Sequence, residues 1–384
     1  MSPGPRIRVP LSRRARLAVF DAASALKLPS VLLRSSWRTH RLLILGYHGL
    51  SLDDEHEWQP SLYIPSALFR SRLEALRNMK CAVLRLPEAL RRLRSGTLPP
   101  RSVVITFDDG AYDFYHLALP LLREFGFPAT VYLTSYYSGF NRPVFDVMLS
   151  YLFWKARGRD FEWPGVLQAP VRLDQPGRTA AAREIRDYAR RSGLSGAAKD
   201  DLLAGLAARL GEDYGALCSR RVLHLMTASE VSQAAGCGID IQLHTHRHRV
   251  SRIPERFVEE IEDNRSFITR ATGINPVHFC YPSGVEAAEF VRVLRGAGVE
   301  SAVTCQPGLA GERSDPLFLP RLLDISSLSA TEFEGWVSGL AEFVPRRPVR
   351  LPPDRVFEMK REQFLEYAPE DHAESGSVSP DMMD

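Results

Sequence analysis

Two adjacent carboxylates, Asp108 and Asp109, follow Val103-Val104-Ile105-Thr106-Phe107 and precede Gly110. An unbroken run of β-branched and aromatic residues reads as a fully buried strand, so the two acids stand at its end. Like charges side by side are costly unless something compensates them. A bound cation would do so, as would a division of labour in which one carboxylate ligates and its neighbour moves protons. Asp-Asp-Gly is also a common turn string, and on these residues alone a surface turn stays open. A second cluster, His244-Thr245-His246-Arg247-His248, follows the alternating run Ile239-Asp240-Ile241-Gln242-Leu243. Two histidines four apart and a distant aspartate supply the ligand set of catalytic zinc or a similar divalent ion with open positions for water. His48 and the turn Pro282-Ser283-Gly284 are the other polar groups placed directly after apolar runs.

The elements that must hold these groups alternate. Runs at 42–49, 81–84, 103–107, 129–133, 239–243, 278–281 and 301–304 read as strands, with helical patterns between them. Ser66 is a candidate N-cap, and Thr227 with Glu230 spells a capping box. Strand and helix repeating at this interval mark a parallel sheet or a β/α barrel. Both architectures assemble active sites beyond the C-terminal ends of their strands, where all four polar clusters fall. Residues 138–222 break the rhythm and read as a helical insertion in one βα loop, able to wall or cover the site or to make a subunit contact.

Composition sets outer bounds. With 384 residues, 45% apolar and 25% charged, the chain is long enough for one large α/β domain plus extensions. A net charge of +3 gives no reason to expect a nucleic-acid partner. The cysteines, Cys81, Cys218, Cys237, Cys280 and Cys305, are widely spaced and form no C-x-x-C pair, which argues against a disulfide framework or a structural zinc site. No apolar run is long enough to span a bilayer, and the N-terminal apolar stretch is interrupted by Asp21, Lys27 and Pro29. A cytoplasmic location is the expectation, at the inner face of the membrane if the first residues bind there. Residues 1–41 are strongly basic, with Asp21 as their one acid, and Leu17, Val19, Phe20, Ala23, Leu26 and Leu28 could share a helix face. That segment reads as a solvated arm, a helix packed on the domain, or a peripheral contact with an anionic membrane. The expected division is thus a basic arm at 1–41, a barrel domain at 42–345 and a Pro-rich, then acidic tail at 346–384, expected to be disordered. Nothing in the chain indicates an oligomeric state.

Thr106-Phe107-Asp108-Asp109-Gly110, the later His244-Thr245 with His248, and Tyr281-Pro282-Ser283-Gly284 resemble the first three motifs of the polysaccharide deacetylase family, the family-four type of carbohydrate esterases. The likeness runs over 42–325, interrupted by the insertion. It implies an α/β fold, a distorted barrel of (β/α)7 type similar to a TIM barrel. It also implies a hydrolase of non-peptide carbon–nitrogen bonds that removes acetyl groups from N-acetylated sugars of a polysaccharide, oligosaccharide or lipid-linked glycan. Carried over residue by residue, it makes Asp109, His244 and His248 ligands of a divalent metal, zinc by preference, and Asp108 the general base. A backbone N–H of the third motif, that of Ser283, would hold the oxyanion, while Thr245 would orient the histidine loop. Two positions depart from the pattern. Where many members carry an arginine that pairs with the base, this chain has Cys280, and Arg321 could reach Asp108 from elsewhere or form a structural ion pair. The family's late histidine, the acid for the departing amine, is missing; His48 is the candidate in its place, ahead of His246. An O-acetyl esterase, a deformylase and a non-catalytic glycan-binding protein are the alternatives.

Overall fold

In the computed structural model, which describes residues 12–345, the apolar runs line up in one nine-stranded sheet. In chain order its strands are β1 (Arg41–Tyr47), β2 (Ala82–Val83), β3 (Ser102–Phe107), β4 (Thr130–Leu133), β5 (Asp240–Leu243), β6 (His278–Cys280), β7 (Ser301–Val303), β8 (Leu309–Gly311) and β9 (Leu322–Leu323). They lie side by side as β7, β6, β5, β4, β3, β1 and β8, with β2 beside β3 and β9 beside β1. Every pairing is parallel except that of β1 with β8. The chain entering β9 joins the two sides of the curl: Leu319 bridges Val303 of β7, and Leu322 pairs with Leu45 of β1. The fold is therefore a distorted β/α barrel. β8 was not foreseen, because three residues ending in glycine show no strand periodicity; it pairs with the first half of β1, leaving the second half to β9.

Alternation along the strands decides which side chains reach the interior. In β3, Val103, Ile105 and Phe107 pack outward into the layer of helices, while Val104 packs with Leu42, Ile44, Tyr132, Cys280 and Val303. The same parity directs Gly46, Thr106, Asp108 and His244 inward. Leu86, Ala89, Leu90 and Leu93, one face of the helix Leu86–Arg94, join that interior cluster. The capping box forms in both directions, Thr227 accepting from the Glu230 N–H and Glu230 accepting from the Thr227 N–H. Ser66 does not cap its helix. Pro65 occupies the cap position in extended conformation, and Ser66 is already the first helical residue.

The insertion builds a core of its own. The helices Phe145–Lys155, Gln175–Arg191, Gly196–Leu210 and Tyr214–Ser219 bury Met148, Leu152, Phe153, Ile185, Leu206 and Val222 together. It is tied to the loop after β1 through Asp54, which accepts from the Tyr151 hydroxyl at 2.5 Å and from Lys155 Nζ at 2.8 Å. At the other end of the chain order, the helices Arg13–Ala25, Leu28–Leu32 and Ser36–Thr39 precede β1. Phe20 is buried against Gly335 of the last long helix, Ala330–Ser338, where an added Cβ would lie 2.5 Å from the Phe20 ring. Full burial of one such ring contributes on the order of 2 kcal/mol. The described part of the basic arm is thus a helix packed on the domain. Residues 1–11 and the tail at 346–384 lie outside the described residues, and so does the expectation of disorder there.

Candidate functional site

Strain marks the rim of the barrel. Asp109 (φ 66), Thr245 (φ 63), His248 (φ 56) and Ser283 (φ 55) all adopt left-handed backbone conformations that non-glycine residues avoid. Each such residue costs of order 1–3 kcal/mol and persists where its surroundings over-determine it, as at functional sites. Asp109 is held by the Thr134 N–H, which donates to its carbonyl at 3.1 Å. Gly110 follows at φ 78, where a Cβ would lie 2.3 Å from Leu133 Cδ1, so only glycine fits.

The positive φ at Asp109 turns the two neighbouring carboxylates to different partners. Asp109 Oδ1 lies 3.2 Å from His244 Nε2 and 3.3 Å from His248 Nε2. That oxygen is buried and accepts no standard hydrogen bond among the described residues. His244 Nδ1 sits 2.8 Å from the Cys280 carbonyl, which can only accept, so Nδ1 carries a proton and Nε2 is the nitrogen turned to the carboxylate. Burial opposes a charge on this ring, but Cys280 and Asp109 outweigh it and raise its pKa well above the ordinary value. The His248 side chain is 38% exposed, and desolvation of the rest of the ring lowers its pKa to about 4. Burial opposes ionisation of Asp109, yet His248 and His244 hold its carboxyl below the usual range. A carboxylate oxygen facing two imidazole nitrogens is a donor set that could hold a cation among them. Its separations match the roughly 3.3 Å spacing that ligand bonds of about 2.0–2.1 Å give at tetrahedral angles. Asp109, His244 and His248 are a group able to hold a metal ion.

Asp108 belongs to a different network. Arg321 Nη1 donates to its Oδ1 at 2.6 Å and Arg321 Nη2 to its Oδ2 at 2.8 Å. The guanidinium is fully buried, and its other bonds go to the Thr304 carbonyl, the Thr106 hydroxyl and the sulfurs of Cys280 and Cys305. Burial pushes the Asp108 carboxyl up, but Arg321 outweighs it and keeps the group ionised. Gly46 makes the room: a Cβ there would be 3.0 Å from Arg321 Nε and 2.7 Å from Leu323 Cδ2. Cys280 thus stands where an arginine was expected, with Arg321 reaching the same aspartate from just before β9.

The remaining residues singled out from the sequence are distributed unevenly. His48 reaches the site, its Nε2 3.6 Å from Asp108 Oδ2 and its side chain 21% exposed. His246 does not; its Nδ1 is bonded to the Ser135 hydroxyl at 2.9 Å and its ring rests edge-on against Tyr136. Thr245 accepts from the Arg249 N–H, bracing the histidine loop. Ser283 lies in the short turn Pro282–Gly284 after β6, on the same rim, and its N–H bonds to none of the described residues.

Two supporting residues went unnoticed in the sequence. Fully buried Asn264 donates to the Leu133 carbonyl and the Ser135 hydroxyl and accepts from the His244 N–H at 3.0 Å. Glu260 accepts from the Arg247 N–H at 2.7 Å. Both lie on the helix Pro254–Thr272, on the face that buries Phe257, Ile261 and Ile268. An asparagine and a glutamate on an otherwise apolar stripe were the available signal.

Comparison with known proteins bears on the same residues. A family model described as polysaccharide deacetylase matches 95–150 and 211–302, leaving most of the helical insertion between the matched stretches. The poly-beta-1,6-N-acetyl-D-glucosamine N-deacetylase of Escherichia coli (strain K12) is 21% identical over 338 residues, covering 87% of this chain and 44% of that protein. The chain therefore spans less than half the length of that relative. Among solved structures, the Streptococcus pyogenes deacetylase PplD in complex with acetate superposes with a TM-score of 0.50 at 17% identity, covering 80% of this chain and 99% of that one. IcaB from Ammonifex degensii gives 0.50 at 16% identity, covering 78% and 97%. These two likenesses concern the barrel architecture.

Proposed function

Because this chain is a member of the polysaccharide deacetylase family, we propose that it removes acetyl groups from the N-acetylated sugars of a polysaccharide, using a divalent metal, zinc by preference. The observation that carries the proposal is the separation of two neighbouring carboxylates. Asp109 Oδ1 faces the two imidazole nitrogens of His244 and His248, while Asp108 is kept apart and ionised by Arg321. A glycan-binding surface needs neither feature. The name of the Escherichia coli relative supports a polymer of N-acetylglucosamine as the substrate class.

Asp109, His244 and His248 would hold the metal, which when bound supplies Lewis acidity toward the amide carbonyl and makes water a better nucleophile. Asp108 takes the proton from the attacking water, and Arg321 fixes the orientation of that carboxylate. The Ser283 N–H, without a partner among the described residues, stabilises the carbonyl oxygen as charge develops on it. His48, beside Asp108 and partly exposed, gives a proton to the departing amine. Purified protein should contain the metal and release acetate from oligomers of N-acetylglucosamine faster than it releases formate or acetate from N-formyl and O-acetyl sugars. Metal-free protein that binds such oligomers without releasing acetate would sink the proposal, and preference for an O-acetyl or N-formyl sugar would reassign the acyl group.

A further inference from the structure

We propose that the outward face of the first two helices, Arg13–Ala25 and Leu28–Leu32, docks on the surface of an anionic lipid bilayer. Their inner face is fully engaged. Phe20 packs on Gly335, Arg16 pairs with Glu332 at 2.8 Å, Asp21 accepts from Thr331 at 2.7 Å, and Arg13 donates to the Ser327 carbonyl at 2.8 Å. Their outer face is apolar and open to solvent, with Val19 40%, Leu26 71%, Leu28 42% and Val31 65% exposed. Four of the nine exposed large hydrophobics among the described residues therefore fall within 19–31, too concentrated for scattered surface residues. Lys27, at φ 56, turns the chain sharply between the helices and gathers Leu26, Leu28 and Val31 at one corner.

Charge selects the occupant. Arg14, Lys27 and Arg34 are exposed around these residues, and Asp21, the one acid at 12–41, is occupied by Thr331. Arg6 and Arg8 add positive charge in the preceding sequence. A second copy of the chain would bring the same basic patch against itself. A nucleic acid would answer the arginines but not the leucines and valines. An anionic bilayer answers both, taking apolar side chains into the acyl boundary and cations at the headgroups. No helix among the described residues is long and apolar enough to cross a membrane, so the segment lies on the surface. Arg13 is bonded next to the end of β9, whereas Leu28–Leu32 and Ser36–Thr39 lead into the start of β1. The exposed corner is thus at the end of the barrel away from the site, and the docked protein opens toward the aqueous side.

Co-sedimentation of the full chain with phosphatidylcholine vesicles, with and without phosphatidylglycerol, tests this independently of any enzymatic activity. Binding is expected only with the anionic lipid. Partition should fall at least about tenfold in Leu26→Glu/Val31→Glu and in Arg14→Glu/Arg34→Glu, with the thermal unfolding of both variants unchanged. Wild-type protein that stays in the supernatant with anionic vesicles overturns the proposal, as does equal partition of the wild type and the folded variants. A lipid-free dimer that Leu26→Glu/Val31→Glu converts to monomer assigns the patch to a second copy and equally overturns it.

Discussion

Arg321 holds both oxygens of Asp108, Nη1 on Oδ1 at 2.6 Å and Nη2 on Oδ2 at 2.8 Å, from 213 positions further along the chain. The pair lies inside the barrel, where a bidentate fork constrains both the position and the plane of the carboxylate. Removing one partner of such a pair strands the other as an uncompensated buried charge. Arg321→Ala should therefore destabilise the fold by about 3–5 kcal/mol and lower acetate release. Arg321→Lys should cost less stability while still lowering turnover, because a point charge cannot fix the plane of the carboxylate. Denaturant unfolding and turnover measured on both variants check this; a stable, fully active Arg321→Ala would contradict it.

The two neighbouring aspartates should separate cleanly in their phenotypes. Asp109→Ala is expected to abolish metal retention, read by elemental analysis after dialysis. Asp108→Asn should keep the metal and lose turnover by about 10²–10⁴-fold, the usual share of a general base. Retained turnover in Asp108→Asn would mean that another group takes the proton.

His48 can be examined through the leaving group. An amide expels an amine that must be protonated, whereas an activated phenyl acetate expels a group that leaves without help. His48→Ala should slow amide hydrolysis by about 10²–10⁴-fold and spare the phenyl ester. Equal losses on both substrates would point to a role in binding or structure.

His278, at the start of β6, gives a pH dependence of stability that is separate from catalysis. Its ring is buried beside the Ser301 hydroxyl at 2.9 Å, and burial lowers its pKa from 6.5 to about 4. The unfolded chain thus binds the proton more readily than the folded one, so stability is intact above pH 6.5 and declines as pH falls toward 4. The full difference corresponds to about 3 kcal/mol. His278→Leu should flatten this part of the stability profile measured by urea unfolding; an unchanged slope would assign it to other groups.

Local pattern carried much of this protein's layout. Asp108 and Asp109 follow a continuous β-rich run, and His244 and His248 follow an alternating one, so their placement at strand ends could be read from a few neighbouring residues. The same holds for the capping box at Thr227 and for the insertion, whose helices interrupt a regular alternation. What escaped local reading depends on distant partners. β8 is defined only by its antiparallel neighbour β1, and Ser66 loses its capping role to the conformation of Pro65. Asn264 looks like one polar residue on a helix until the strands bring Leu133, Ser135 and His244 around it.

Arg321 shows where that division lies. Its residue type allowed two roles, and nothing near it in the chain favours either. Closure of the barrel through Leu319 and Leu322, with Gly46 leaving room beside the guanidinium, brings it to Asp108. Residue types and short-range periodicity by themselves determined which side chains stand at strand ends and what chemistry they can do. Only the tertiary structure decided which of them meet, because the distances that make a ligand group or an ion pair are set by how the sheet curls and closes.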